Sequence, residues 1–355
     1  MSFRCLLAVR ISTITLWRSN NLLKGVFDMN YYKIAIDVMG SDNGPEILVE
    51  GAVNALKQND DLAIVLFGDK ELVDKKLSGL EYDAERVEVI HANDVVTNYD
   101  NPMEAIFRKT ESSLVKALIA TGEREDIVGL INAGSTGALL AGSLRYVPAK
   151  VLKRPALAAI LPAEKGGFTC LVDTGANIDC NAEQLVDFAH MGSDFMRDYY
   201  NIENPRIGLL SNGAEETKGN KLVKATHALL KEEKDLNFVG NIEGNRALSG
   251  DCDVLVAEGF AGNQVFKNSE GIARRIITDI VKYAKTTGSA EIMKLVKHLM
   301  GIYDFNSLGG GIVLGAGKPI IKARGSANAD SITNTSAMLL NIVKNRDIFY
   351  GKDNR

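Results

Sequence analysis

Cysteine is scarce in this chain, and what there is does not pair. Cys5, Cys170, Cys180 and Cys252 are four isolated residues in 355, with no Cys-x-x-Cys. That spacing excludes the usual zinc sites and a disulfide framework. Asp251 and Asp253 flank Cys252, and their charges would raise its thiol pKa and oppose a nucleophilic role. The cysteines read as reduced core residues. Histidine is equally sparse: His91, His190, His227 and His298 are scattered, with no His-Glu-x-x-His. There is no Gly-x-Gly-x-x-Gly, no Gly-x-x-x-x-Gly-Lys-Ser/Thr and no Gly-x-Ser-x-Gly. A standard dinucleotide site, a Walker site and a serine-hydrolase elbow are therefore unsupported, and neither a cofactor nor a metal is expected. No apolar run approaches the ~20 residues needed to span a bilayer. Positive charge is not in excess: the net charge is −4, so no global field would attract nucleic acid.

The chain does have the composition of a globular protein, with 46% hydrophobic and 24% charged residues. Its first 28 residues are unlike the rest. Arg4, Arg10, Arg18 and Lys24 precede the first acid, Asp28. Such an acid-poor stretch fits a transit peptide, or an upstream extension before a start at Met29. The extension is the reading taken, and residues 1–28 are set aside from the fold. Residues 29–355 read as one catalytic α/β domain with a protruding helical segment at about 264–305.

From Tyr31 onward, short β-rich runs alternate with longer amphipathic ones. Strands are predicted at 33–38, 62–67, 87–91, 127–132, 169–173, 206–210, 237–239, 254–257 and 319–323. Several are continuous apolar runs, which suit parallel strands buried on both faces. Helices are predicted at 45–57, 102–120, 137–145, 181–199, 219–231, 264–285 and 327–344. Pro45 and Pro102 stand where a first helical turn tolerates proline, with Asp42 and Asn101 as caps. The series implies a doubly wound, mostly parallel sheet sandwiched by helices.

In such sheets ligands collect at the carboxyl ends of strands. The segments there are glycine-bearing and polar. Asp37, Gly40 and Asp42 follow the first strand. Asn132, Gly134, Ser135, Thr136 and Gly137 follow the 127–132 strand. Asp173, Gly175 and Asn177 follow the next, then Asn212, Lys218, Gly219 and Asn220, then Gly259, Gly262 and Asn263. Glycine lets backbone N–H groups approach an anion, and a helix start adds its positive dipole end. The 132–137 segment is the best phosphate cradle. All these residues are candidate phosphate- or substrate-binding positions.

At these loops the sequence resembles the bacterial acyl-carrier-protein:phosphate acyltransferases. The likeness runs from about Lys33 to about Leu340. It rests on Ile36-Asp-Val-Met-Gly-Ser-Asp42, Ala133-Gly-Ser-Thr-Gly-Ala138, Arg154-Pro-Ala-Leu-Ala158, Asp173-Thr-Gly-Ala-Asn177, Lys218-Gly-Asn220 and Gly259-Phe-Ala-Gly-Asn263. The resemblance implies a fold related to the isocitrate and isopropylmalate dehydrogenases and to phosphotransacetylases. It implies a homodimer whose product is acyl phosphate for phospholipid synthesis. Its catalytic lysine and asparagine map onto Lys218 and Asn263. Departures from the family pattern fall at Ser41, Ser135, Gly213-Ala214-Glu215 and Arg324-Gly325-Ser326-Ala327, which puts Ser326 in doubt as a ligand contact.

Phosphate is a nucleophile at neutral pH, so no activated serine or cysteine is required. The expected mechanism holds phosphate by Lys218 and the 132–137 backbone, while the Asn263 amide polarises the thioester carbonyl. The expected partners are acyl-carrier protein, inorganic phosphate, a second copy of the chain and a downstream glycerol-phosphate acyltransferase. The rivals are a short-chain phosphotransacylase using coenzyme A thioesters, a dehydrogenase of related fold, and a non-catalytic membrane-surface scaffold.

The 292–303 segment is amphipathic at 100° per residue. Ile292, Met293, Leu295, Val296, Leu299, Met300, Ile302 and Tyr303 share one half of the wheel, opposite Lys294, Lys297 and His298. That pattern fits an interfacial helix on anionic lipid. It fits equally a helix packed on the core or across a dimer contact. The resemblance favours lipid, with Ile292, Leu295, Val296 and Leu299 as membrane contacts of a cytoplasmic, peripherally associated protein.

Overall fold

The computed structural model describes residues 31–149, 154–303 and 310–350, without the side chains of 346–350. The expected extension over 1–28, and Cys5 within it, lie outside the described residues.

Strand β1 (Tyr32–Asp37) ends on four buried positions, and β2 (Leu62–Gly68) and β4 (Ile127–Asn132) are buried throughout. Their neighbours explain the unbroken apolar runs. Ile34, Ile36, Ile64 and Leu66 pack into one cluster with Leu48 and Val49 of helix α1 (Pro45–Gln58) and Leu339 of α10 (Ala329–Tyr350). Ala35, Val65 and Phe67 turn to the other face, against Leu114 and Leu118 of α4 (Ser113–Glu123) and Leu139 of α5 (Thr136–Tyr146). The period of two is present, but both faces are apolar because helices cover both.

The remaining strands are β3 (Val87–His91), β5 (Ala156–Pro162), β6 (Phe168–Val172), β7 (Arg206–Ser211), β8 (Asn237–Glu243), β9 (Val254–Val256), β10 (Gly311–Leu314) and β11 (Ile320–Lys322). They complete an 11-stranded sheet of order β3-β2-β1-β4-β11-β10-β5-β6-β9-β7-β8. The first five run parallel, as do the last four. Between them β10 and β5 are antiparallel to each other and to their outer neighbours. The two halves therefore run in opposite directions.

Register then decides where the site forms. Asp37 pairs with Asn132, Asn132 with Lys322 and Lys322 with Gly311. One residue on, Ile312 pairs with Ala158, Ala158 with Val172 and Val172 with Val256. The carboxyl ends of β1, β4 and β11 thus meet those of β6 and β9 head-on, across the middle pair of strands. The sequence expectation of a mostly parallel sheet holds, but its loops converge from two directions rather than along one edge.

The antiparallel pair escapes sequence reading. β5 carries Ala156, Ala158 and Ala159, poor strand formers, and β10 is four residues between Gly310 and Gly315. The other helices are α2 (Lys70–Leu77), α3 (Pro102–Arg108), α6 (Ala182–Tyr200), α7 (Lys221–Glu232), α8 (Gly259–Thr287) and α9 (Ala290–Tyr303). The single helix expected over 102–120 is two, because the Ser112 side chain caps α4 by accepting from Val115 N. Asn101 caps α3, accepting from Glu104 N. Asp42 does not cap α1; Gly44 holds that position without a side-chain bond. Helix α8 begins at Gly259 rather than Gln264, with the Glu258 carboxylate accepting from Ala261 N. Asn263 is therefore a helical residue.

Candidate active site

One wall is the loop after β6. Asp173 is fully buried, and its Oδ1 accepts from the backbone N–H groups of Leu157 (3.1 Å), Gly175 (3.1 Å) and Ala176 (3.0 Å). Its Oδ2 accepts from Asn177 N at 2.6 Å and Asn177 Nδ2 at 2.9 Å. The Asn177 amide also donates to the Pro155 carbonyl at 2.9 Å. Asp173 and Asn177, expected at the ligand, shape the loop from within instead; a carboxylate accepting this many donors has no lone pair left to offer.

Helix α8 sits directly on that loop. Gly259 N donates to the Asn177 carbonyl at 2.7 Å. A Cβ at Gly262 would lie 1.9 Å from the Asp173 carbonyl oxygen, so only glycine allows the approach. Two glycines thereby set the height of Asn263. Its Nδ2 donates to the Thr174 carbonyl at 2.9 Å. A primary amide has two N–H donors, so the second is available to a ligand.

The facing wall comes from β1, β4 and β11. Asn132 Nδ2 donates to Asp37 Oδ2 at 2.7 Å, and Met39 N to Asp37 Oδ1 at 3.1 Å. Burial pushes the Asp37 carboxyl up to about 6, against these bonds and the Lys322 charge. Gly40, at φ 74°, lets the first loop meet Gly134, whose Cα would stand 3.5 Å from a Cβ there. Ser135 caps α5 by accepting from Ala138 N, and Gly137 faces Pro102. Of the expected cradle, Thr136 alone reaches the cavity described next.

Between the walls lies a cavity of about 470 Å³. Of the candidate residues, Asp42, Thr136, Gly175 and Asn263 line it, together with Ser326. Sequence reading gave no role to its cations, Lys267, Lys322 and Arg324. Lys322 is 9% exposed and donates to the Ala323 carbonyl; burial pushes its ammonium down to about 8, against the charges of Asp42 and Asp37. Arg324 pairs through Nη1 with Glu270, which also accepts from Arg274 Nη2 at 2.6 Å. Burial raises the Glu270 pKa, but the Arg324 bond and nearby positive charges win and hold it below the usual carboxylate range. The available signal was an apolar run, 319–323, that ends on Lys322 and leads into Arg324.

Lys218 lies outside the lining of this cavity. It is exposed on the loop after β7, and β9 separates β7 from β6; two strand spacings amount to roughly 10 Å. No ion pair engages its ammonium among the described residues. Asn212 Oδ1 accepts from Gly219 N at 2.9 Å and Asn220 caps α7 through Val223 N at 2.9 Å, so both hold this loop together. Burial pushes the Cys170 and Cys252 thiols up to about 12, which disfavours the thiolate at both.

A second, more apolar groove of about 810 Å³ runs along the other face of α8, with Val265, Ile272 and Ile276 facing Leu248, Leu299 and Tyr303. Within α9, Val296 is buried, so its expected place against lipid does not hold; Leu299 lines the groove, Ile292 is half-buried and Leu295 is exposed. Gly288 ends α8 in the left-handed region and opens the turn into α9. No described helix is long and apolar enough to cross a membrane.

A family model described as fatty acid synthesis protein matches residues 32–345. The phosphate acyltransferase of Clostridium botulinum is 40% identical over 325 residues, 90% of this chain and 95% of that one. That of Clostridium perfringens strain SM101 is 41% identical over 308 residues, 85% and 90% of the two chains. The chain belongs to the phosphate acyltransferase family. Its fold is shared with a phosphotransacetylase from Streptococcus pyogenes, at TM-score 0.59 and 17% identity over 97% of this chain and 99% of the other. A 4-hydroxythreonine-4-phosphate dehydrogenase from Klebsiella pneumoniae also shares it, at TM-score 0.53 and 14% identity over 88% and 99%. The cavity between β6 and β11 is lined by three cationic side chains, Lys267, Lys322 and Arg324, and by the Asn263 amide.

Proposed function

We propose that the chain transfers a long-chain fatty acyl group from an acyl-carrier-protein thioester to inorganic phosphate. The acyl phosphate formed serves phosphatidic acid synthesis. The observation that carries the reading is the Asn263 amide, fixed by the Thr174 carbonyl at 2.9 Å in a cavity that also holds Lys322 and Arg324. A phosphate oxygen attacks the thioester carbonyl carbon, and the free Asn263 N–H receives the oxyanion. The intermediate collapses with loss of the C–S bond, and the carrier thiolate leaves with the electron pair and takes a proton. Lys218 enters as the resemblance assigns it, with an exposed ammonium on a carboxyl-end loop.

The same reading places the chain in the cytoplasm as a homodimer in peripheral contact with the membrane. Leu295, Met300 and Ile302, exposed on α9, support the lipid contact. The acidic carrier protein and a downstream glycerol-phosphate acyltransferase are its proposed partners. The test is phosphate-dependent loss of thioester from a long-chain acyl-carrier protein, with hydroxylamine trapping acyl phosphate. Trapped product from wild type and none from a folded Lys218→Ala variant is expected. No product from wild type overturns the reading, and product from acyl-coenzyme A alone replaces it with the short-chain phosphotransacylase alternative.

A further inference from the structure

Three side chains around the 470 Å³ cavity carry charges that the protein itself leaves unsatisfied. Arg324 Nη1 is held by Glu270, yet Nη2 is buried with no hydrogen-bond partner. A buried guanidinium N–H without an acceptor is strongly disfavoured. Lys322 is 9% exposed, and its one acceptor among the described residues is the carbonyl of the next residue. Residues two apart on extended chain project to the same side. Both therefore turn their charged ends into the space that Asn263 faces.

Asp42 is the third. It lines the same cavity, its charge acts on Lys322, and its carboxylate accepts no hydrogen bond among the described residues. Its backbone N–H donates to the Gly325 carbonyl at 2.8 Å, which ties it to the loop that carries Arg324. A Cβ at Gly325 would stand 2.7 Å from Asp42 Oδ2, so glycine lets the carboxylate in. A carboxylate in an anion site repels any fully deprotonated anion. For an anion that still carries a proton, the hydrogen bond it donates to the carboxylate offsets that repulsion.

We propose that Lys322 and Arg324 clamp inorganic phosphate, and that Asp42 accepts the hydrogen bond of its remaining hydroxyl and so rejects sulfate. The assignment rests on the acyl-transfer reading and deepens it, moving the fixed positive charge for phosphate from Lys218 to the end of β11. Phosphate and sulfate share size and tetrahedral shape, so only a proton acceptor separates them.

The experiment is calorimetric titration of the full chain with inorganic phosphate and with sulfate at neutral pH and constant ionic strength, without acyl donor. Wild type should prefer phosphate by at least about tenfold, the discrimination of one unmatched polar contact. Lys322→Met and Arg324→Met should each weaken phosphate about ten- to a hundredfold. Asp42→Asn should bring the two anions within about threefold of each other, mainly by tighter sulfate binding. Asp42 is exposed, so this variant reads the proposal even where a change at the buried pair lowers stability. Unchanged phosphate affinity in both cation variants, or undiminished rejection of sulfate by Asp42→Asn, overturns it. Selective phosphate binding without thioester phosphorolysis would leave the clamp standing and remove the acyl-transfer reading. Phosphorolysis with an unaltered phosphate KM in the cation variants would do the reverse.

Discussion

A Cβ at Gly175 would stand 3.0 Å from Nδ2 of Asn263. Gly175 is also at φ 129°, a conformation L side chains rarely adopt. The loop after β6 and the first turns of α8 are thus fitted to each other through a glycine and an amide. Gly175→Ala should strain the backbone and tilt the Asn263 amide away from the cavity. The expected outcome is a fall in kcat of about tenfold or more, since an oxyanion donor moved by an ångström loses much of its effect. Steady-state phosphorolysis beside a thermal melt checks it. A melt lowered without loss of kcat in the remaining folded enzyme would contradict the coupling.

The Asn263 amide itself should act on turnover rather than on binding. Asn263→Ala removes the donor and should lower kcat by about 10²–10³, with KM for phosphate close to wild type. Asn263→Asp should fall further, because a carboxylate beside the developing oxyanion repels it. Full kinetics of both variants, with circular dichroism for folding, decides the matter; near wild-type turnover in a folded Asn263→Ala ends the assignment.

At Lys322, function and stability should pull in opposite directions. Burial lowers its ammonium from 10.5 to about 8, opposed by Asp42 and Asp37 and reinforced by Arg324. Between pH 8 and 10.5 the unfolded chain binds more protons than the folded one at this residue, so its contribution to stability rises with pH there. Below pH 8 the cost of the buried charge is present in full, about 3 kcal/mol as an upper bound. Lys322→Met should therefore raise the melting temperature at pH 7, and the gain should shrink by pH 10. Denaturant unfolding of the pair at both pH values measures it. In wild type, phosphate affinity should fall as pH rises through about 8.

How much of this was legible beforehand depends on what each residue type reveals alone. β1, β2 and β4 were readable because burial on both faces leaves an apolar run with no polar interruption. β5 was not, since an alanine-rich strand in mid-sheet looks like no particular element. The polar glycine loops were located correctly, but their polar residues divide in a way spacing cannot show. Asp173, Asn177, Ser135, Asn212 and Asn220 face inward to hold loops and helix starts, whereas Asp42, Thr136 and Asn263 face the cavity. Lys322 and Arg324 stand just before the glycine of the 323–327 segment, and only the reversal of the sheet between β11 and β6 brings them opposite Asn263.

Helix α9 tests how an amphipathic face is divided. Val296 is 2% exposed, while Leu295 is 48% and Met300 47% exposed on the same apolar half of the wheel. Val296→Ala should act on folding, costing roughly 1–3 kcal/mol through the lost methyl groups and the space they leave. Leu295→Glu and Met300→Glu should leave stability within about 0.5 kcal/mol and reduce co-sedimentation with vesicles containing anionic lipid, because each removes apolar area from the lipid-facing side and adds a like charge. Val296→Ala, by contrast, should co-sediment as wild type does. If the two glutamate variants bind vesicles normally but shift the oligomeric state by light scattering, the exposed side of α9 is a contact between copies of the chain and not a lipid surface.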